Sequence, residues 1–169
     1  MILERQPAIP KKAANGERLW KFLVVVDETP EFHTALRFAS RRAAKIGGMV
    51  TLLFVIPPAD FQHWGAVEDL MRQEAQQEAR AVLDKIVGEV RALSGLMPEV
   101  VIREGKPEEQ IVAQIDDDPD IHILVLGAAN AENPGPLVSA FSGPLLRSLH
   151  IPVVFVPGNL TDEAIDRLV

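Results

Sequence analysis

Five short apolar runs divide the chain: Trp20–Val26, Met49–Ile56, Glu99–Ile102, Ile121–Leu126 and Pro152–Val156. Four of them are rich in Val, Ile, Leu or Phe and alternate little with polar residues, a pattern typical of strands that are covered on both faces. The run Glu99–Ile102 is short and leads into charged residues, so we expect it to lie nearer an edge of the sheet. The apolar pattern therefore predicts five strands.

The segments between these runs have the periodicity of helices. We predict helices over Glu31–Ile46, over Ala66–Ser94, from Pro107 to the aspartates at 116–118, and around Val138–Leu149. The long second helix is expected to turn an apolar stripe inward along its whole length, with these members: Val67, Leu70, Met71, Ala75, Ala79, Val82, Leu83, Ile86, Val87 and Val90.

Capping residues mark where these helices begin and end. Thr29 precedes Pro30, as an N-cap precedes a proline at the first helical position, and Gly47 with Gly48 stops the first helix. Gly143-Pro144 interrupts the fourth helix, and Thr161 is expected to cap a short helix in the tail.

One helix thus lies between every two successive strands. This alternation predicts an α/β fold with an open parallel sheet, helices on both faces and right-handed crossovers. We expect a loose lead-in over residues 1–18, one α/β domain over residues 19–158, and a tail over residues 159–169.

Composition narrows the classes of function. The chain has 169 residues, is 47% hydrophobic, and carries a formal net charge of −7. An acidic protein with no Tyr and 5% aromatic residues does not fit a nucleic-acid or anionic-membrane partner. The chain has no Cys, which excludes disulfides, thiolate nucleophiles and Cys-ligated zinc. Without a signal peptide or an apolar stretch of membrane length, we expect a cytoplasmic protein.

In open parallel sheets, ligands bind beyond the carboxyl ends of the strands, where the strand order reverses. Asp27 ends the first strand there, and its carboxylate either accepts hydrogen bonds from a ligand or caps the following helix. The small residues from Gly127 onward follow the fourth strand and either admit a phosphate close to the backbone or form an ordinary loop.

A family resemblance rests on four segments in a fixed order: Val24–Asp27, Leu52–Ile56, Ile123–Gly127, and Leu146-Arg147 followed by Ile151–Val153. Together they resemble the universal stress protein family, over about residues 20–157. The resemblance implies a Rossmann-like, five-stranded parallel sheet in the order 3-2-1-4-5 and a homodimer formed through the last strand. It also implies two functional classes, one that binds ATP and one that does not.

The resemblance also implies positions for a nucleotide site. Asp27 corresponds to the acid of the first strand, Val55 to the residue that bonds adenine through its backbone, and Gly127 to the first glycine of the ATP-binding motif. The remaining motif positions fall on Asn130, Ser139 and Ala140, with Phe141 next. Ser139 and Ser142 are near enough to supply a phosphate-binding hydroxyl in place of the one missing at Ala140. Asn130 replaces the second glycine, Ser139 the third, and Ala140 the hydroxyl residue, so we expect a remodelled pocket and no tight ATP binding.

Other groups of residues give weaker evidence of a functional site. The four histidines show no metal-ligand spacing, no nucleophile elbow or Walker loop is present, and no catalytic or metal-binding residue is predicted. Three further groups of residues each have two interpretations. The run Asp116–Asp120 is either a cation site or a solvated helix end, and the helix end is favoured. Phe61, His63 and Trp64 either cover the cleft as a flap or anchor their loop as a hydrophobic cluster, which is favoured, and Arg103 and Lys106 either supply positive potential for a phosphate or, by default, face solvent.

The hypothesis from the sequence is a cytoplasmic, dimeric regulatory protein of the universal stress type that acts in the stress response. Its small-molecule partner would be ATP or another adenine nucleotide held at the remodelled pocket, with no cofactor required. The alternatives are a weak nucleotide hydrolase that uses water positioned by Asp27, and a structural dimer that acts through protein partners.

Overall fold

The computed structural model describes residues 19–58 and 65–169, in the order β1–α1–β2–α2–β3–α3–β4–α4–β5–α5. The strands are β1 Lys21–Val25, β2 Met49–Ile56, β3 Glu99–Glu104, β4 Ile121–Ala128 and β5 Val153–Pro157. The helices are α1 Pro30–Ile46, α2 Gly65–Ser94, α3 Pro107–Asp117, α4 Pro136–Phe141 and α5 Asp162–Leu168. The lead-in over residues 1–18 and the segment with Phe61, His63 and Trp64 lie outside the described residues, so the expectations for them stay predictions.

The five strands form one parallel sheet in the order β3-β2-β1-β4-β5. The predicted α/β fold class and strand order are confirmed, and β3 lies at an edge as its short apolar run indicated. β1 is central, with Val24 opposite Leu52 of β2 and Val125 of β4. The strand order therefore reverses between β1 and β4, which is where a ligand site is expected.

Alternate residues of β1 feed two separate cores, one on each face of the sheet. Phe22 and Val24 pack with residues of α1 and α2, whereas Leu23 and Val25 pack with residues of α3 and α4. All five residues of β1 are buried. This double burial explains why the strands appear in the sequence as continuous apolar runs.

The caps of α1 act partly as predicted. Gly47 ends the helix in the left-handed conformation at φ 69°, which suits glycine. Thr29 occupies the N-cap position, but its side chain accepts no hydrogen bond from the helix. In α5, the hydroxyl oxygen of Thr161 accepts a hydrogen bond of 3.2 Å from the Ala164 N–H, which confirms that cap.

Helix α2 differs from the prediction at its amino-terminal end. Its buried residues are Ala79, Leu83, Ile86 and Val90. Val67, Leu70 and Met71 are 55%, 55% and 40% exposed, so the expected inward stripe is wrong for the first turns. Thirty residues make a helix of about 45 Å, whereas an eight-residue strand spans about 26 Å, so one end of α2 extends past the sheet.

The helix predicted around residues 138–149 is also shorter in the structure. α4 has six residues and ends at Phe141, and after Gly143-Pro144 only a single 3₁₀ turn forms, over Leu146–Ser148. Proline lacks the N–H that a continuous helix would require, which accounts for the break.

A polar cluster closes the amino ends of the strands, opposite the predicted ligand edge. The buried Lys21 donates from Nζ to Glu99 Oε2 at 2.9 Å and to Asp118 Oδ2 at 2.7 Å. Thr51 adds a hydrogen bond of 2.9 Å to Glu99, and Asp120 is 4% exposed. The aspartate run is thus partly buried and paired, not simply a solvated helix end as favoured from the sequence.

Helix α5 is held against α1 by ion pairs. Arg37 donates from Nε to Asp166 Oδ1 at 3.0 Å and from Nη2 to Oδ2 at 2.8 Å, in a two-pronged arrangement. Arg41 adds a contact of 2.9 Å to Asp166. The tail of the chain is therefore packed onto the domain.

Candidate functional site

A cleft of about 310 Å³ opens beyond the carboxyl ends of β1 and β4. It lies at the reversal of strand order and is bounded by the beginnings of α1, α3 and α4. Its lining residues share a mostly apolar character and include Val25, Val26, Phe32, Ala35, Val55, Val125, Leu126, Leu137 and Val138. Its size and character match small-molecule sites, which are concave and apolar with a few polar groups.

Asp27 lies in this cleft directly after β1, and its side chain is exposed. Its Oδ1 accepts a hydrogen bond of 2.8 Å from the Thr29 N–H and another from the Thr29 hydroxyl. The carboxylate thus orders the turn before α1 by bonding the N-cap residue Thr29, whereas a helix cap, as considered from the sequence, would bond an N–H of the helix itself. The same bonds fix the carboxylate at the mouth of the cleft, so that it is also placed to accept hydrogen bonds from a ligand.

Val55 lines the cleft from the neighbouring strand β2. It is half-buried, and it pairs in register with Arg103 of β3. Among the residues predicted from the sequence, Asp27, Val55 and Gly127 are the three that lie together in the cleft wall.

Gly127 is required by packing as well as by position. A Cβ at this residue would lie 2.3 Å from the Glu31 carbonyl oxygen and 2.6 Å from its carbonyl carbon. Gly158 shows a similar constraint, since a Cβ there would lie 2.8 Å from Glu31 Cβ. Gly127, near the end of β4, and Gly158, directly after β5, therefore let the first turn of α1 sit directly on the sheet edge, a role that sequence reasoning missed.

The loop after β4 does not need a glycine at position 130. The Ala129 N–H donates to the Pro134 carbonyl at 3.0 Å, and Asn133 Oδ1 accepts from the Gly135 N–H at 3.1 Å. The positive φ in this loop, 111°, falls at Gly135. Asn130 is exposed, lies outside the lining residues of the cleft, and does not adopt positive φ.

The other four predicted positions lie in or just after α4, outside the lining residues. Ser139 is exposed, Ala140 is half-buried, and Phe141 is fully buried in the core beneath α3 and α4. The Ser142 hydroxyl donates to the Val138 carbonyl at 2.6 Å. The structure therefore does not bring Ser139, Ala140, Phe141 or Ser142 into the described cleft.

The charged residues of the cleft wall are acidic. Asp27, Glu31 and Glu108 line it, and none of the lining residues described is a Lys, Arg or His. Arg103 points its guanidinium at α3, where it donates to Gln110 at 2.9 Å, Gln114 at 3.1 Å and Asp117 at 3.0 Å.

Lys106 is exposed and lies 3.7 Å from Glu109, outside the cleft lining. The positive potential considered for Arg103 and Lys106 is therefore not at the cleft wall.

The histidines within the described part of the chain lie in separate places. His33 contacts Glu89 at 2.9 Å, His122 stacks on Trp20 with ring centroids 4.2 Å apart, and His150 lies 3.7 Å from Asp116. Across residues 19–58 and 65–169, no group of three or more His, Asp or Glu residues is arranged to hold a metal ion.

A universal stress protein family model matches residues 20–157. The chain belongs to the universal stress protein family. That match spans all five strands and the whole cleft wall. A comparison with curated protein sequences finds no match.

Solved structures of universal stress proteins share the fold. The protein UspA from Lactobacillus plantarum is 20% identical with a TM-score of 0.65, and the alignment covers 82% of this chain and 98% of that one. The Archaeoglobus fulgidus protein in complex with dAMP is 18% identical with a TM-score of 0.55, covering 82% and 97%. An Arabidopsis thaliana family protein with AMP bound is 17% identical with a TM-score of 0.55, covering 85% and 94%.

No helix among the described residues is both long and apolar enough to cross a bilayer.

Proposed function

We propose that this protein is a non-catalytic ligand-binding member of its family, whose cleft between β1 and β4 takes an adenine nucleoside or nucleotide. Its role would be regulatory, in the stress response and in the cytoplasm. The observation that carries the proposal is the apolar cleft at the reversal of strand order, with Asp27, Val55 and Gly127 in its wall. The relatives with bound dAMP and AMP support adenine as the base.

The chemistry of the cleft suits a flat heterocycle with a polar rim. Apolar side chains of β1, β4 and α4 offer a surface on which a base can bury its faces. The backbone at Val55, which lines the cleft near the carboxyl end of β2, would pair with the edge of the base. The Asp27 carboxylate, held by its two bonds to Thr29, can accept hydrogen bonds from ribose hydroxyls.

Binding without turnover is the expected behaviour. Asp27 Oδ1 is engaged by the Thr29 amide and hydroxyl, which favours a positioning role over that of a general base for water. We expect purified protein incubated with ATP and Mg²⁺ to release no more phosphate than the Asp27→Asn variant does. Phosphate release that disappears in Asp27→Asn would instead support the hydrolase alternative.

Calorimetric titration with adenosine, AMP and ATP tests the ligand. We expect saturable binding of at least one of them, blocked by Leu137→Trp, which places an indole in the cleft from the first turn of α4. Leu146→Trp is the matched control, because Leu146 is 51% exposed and lies outside the cleft. If none of the three binds at millimolar concentration, or if Leu137→Trp binds as well as Leu146→Trp, the proposal is wrong.

We also propose a homodimer formed through β5. This strand pairs with β4 on one side and lies at the edge of the described sheet, and its residues Val153–Phe155 are only partly buried. An apolar edge strand favours pairing with another chain. Sedimentation equilibrium at micromolar concentration should give the mass of two chains, and a stable monomer would contradict this assembly.

A further inference from the structure

Charge distinguishes this cleft from an ordinary phosphate site. Resting on the proposed function, we infer that the cleft selects an uncharged adenine nucleoside over its phosphorylated forms, so that affinity falls with each added phosphate. The argument depends on three acidic residues that line the cleft and on the way in which three helices begin there.

The carboxylates of Asp27, Glu31 and Glu108 come from three different places in the chain. Asp27 follows β1, Glu31 lies in the first turn of α1, and Glu108 lies in the first turn of α3. Because all three residues line one cleft of about 310 Å³, a phosphate inside it would lie within about a Debye length, roughly 10 Å, of their carboxylates. Like charges at such distances repel, and more strongly in a partly desolvated site.

The helix beginnings do not offset this charge. A helix amino terminus is equivalent to roughly +0.5 charge, so three of them supply about +1.5 against three full negative charges. The cation at the start of α3, Lys106, lies outside the lining and is 3.7 Å from another carboxylate, that of Glu109. Each of these helices also begins with proline: Pro30, Pro107 and Pro136. Proline has no N–H, so each helix start has one fewer donor for an anion.

One backbone donor at the cleft is also engaged within the protein. The Phe32 N–H, in the first turn of α1, donates to the Thr29 carbonyl at 3.3 Å. The Ser142 hydroxyl, a candidate phosphate donor from the sequence, bonds the Val138 carbonyl instead.

A nucleoside avoids the repulsion and uses the same carboxylates. The base would occupy the apolar wall, and the ribose hydroxyls would donate to a carboxylate such as that of Asp27. Hydrogen bonds to an ionised acceptor are among the stronger ones, so the acidic wall favours a ligand that is rich in hydroxyls and has no phosphate.

The test is a calorimetric series with adenosine, AMP, ADP and ATP in EDTA, at two salt concentrations. We expect the affinity to fall along the series, by about tenfold or more from adenosine to ATP at low salt. Added salt should narrow the gap, because it screens repulsion. ATP binding as tight as adenosine binding, or a gap that widens with salt, would overturn the inference and leave the proposed function standing.

A matched pair of variants locates the effect in the cleft. Glu31→Gln/Glu108→Gln removes two of the charges and should reduce the ratio of adenosine to ATP affinity by about threefold or more. Glu74→Gln/Glu78→Gln makes the same change in net charge on the exposed face of α2 and should leave that ratio unchanged. Equal ratios in the two variants would overturn the inference, whereas failure of every ligand to bind the wild type would overturn the proposed function itself.

Discussion

Replacing Gly127 with alanine tests how closely α1 approaches the sheet. The new Cβ would lie 2.3 Å from the Glu31 carbonyl oxygen and 2.6 Å from its carbonyl carbon, where ordinary contacts begin at 3.4 Å. Both obstructing atoms are backbone, so no side-chain rotation relieves the clash, and the first turn of α1 must move by about 1 Å. Overpacking of this kind costs about 3 kcal/mol of the free energy of unfolding.

The assay is urea unfolding followed by circular dichroism, with the melting temperature as a second measure. For a domain of this size, 3 kcal/mol corresponds to a fall of about 6–12 °C. We also expect weaker ligand binding, because Gly127 and Glu31 both line the cleft.

Gly88→Ala is the matched control for this substitution. Gly88 lies within α2, where a Cβ meets nothing within 4 Å. Alanine there should raise the free energy of unfolding by about 0.5–1 kcal/mol, since glycine is unfavourable inside a helix. If Gly127→Ala unfolds at the wild-type urea concentration, the close approach of α1 is refuted.

Two ion-pair groups give predictions about pH. Burial by itself lowers the pKa of Lys21, but its hydrogen bonds to Asp118 and Glu99 raise it above 10.5. The stabilisation that charged Lys21 gives to the fold is therefore complete below pH 10.5 and is lost as the pH rises through the folded-state pKa. Urea unfolding should show that Lys21→Met is less stable than wild type by about 2 kcal/mol at pH 7. This difference should become smaller in alkali. The hydrogen bond from Arg37 lowers the pKa of Asp166 below 3.8, so its contribution is present above pH 3.8 and lost as the pH falls through the lower folded-state value. The difference in unfolding midpoint between wild type and Asp166→Asn should therefore stay constant from about pH 7 to 5 and vanish in stronger acid; a difference that persists there would contradict the pairing.

The strands were predictable because both faces of the sheet are covered. Residues of β1 such as Phe22 and Leu23 enter opposite cores, so the strand has no polar position after Lys21, its first residue. Periodicity predicted burial less reliably at the amino-terminal end of α2. Val67 and Leu70 keep the helical spacing there, but the sheet ends before it reaches them. An apolar pattern indicates which face can be buried but not how far the partner extends.

The location of the candidate cleft was predictable, but its lining residues were predictable only in part. Strand order places Asp27 and Gly127 at one edge, and local sequence is enough to find both. The sequence also places the start of α3 at this edge, but it drew attention to the cations there, Arg103 and Lys106, and not to Glu108, which lines the cleft. The packing of Gly127 on Glu31 joins residues far apart in the chain and has no local signal.

The most direct test of the proposed ligand is a methyl NMR titration with adenosine. We expect saturable shifts at Val26, Val55 and Leu137, which line the cleft. We expect no shift at Leu93, which lines a separate groove beside Arg41. Shifts confined to Leu93, or none at the three cleft methyl groups with adenosine at millimolar concentration, would contradict the account.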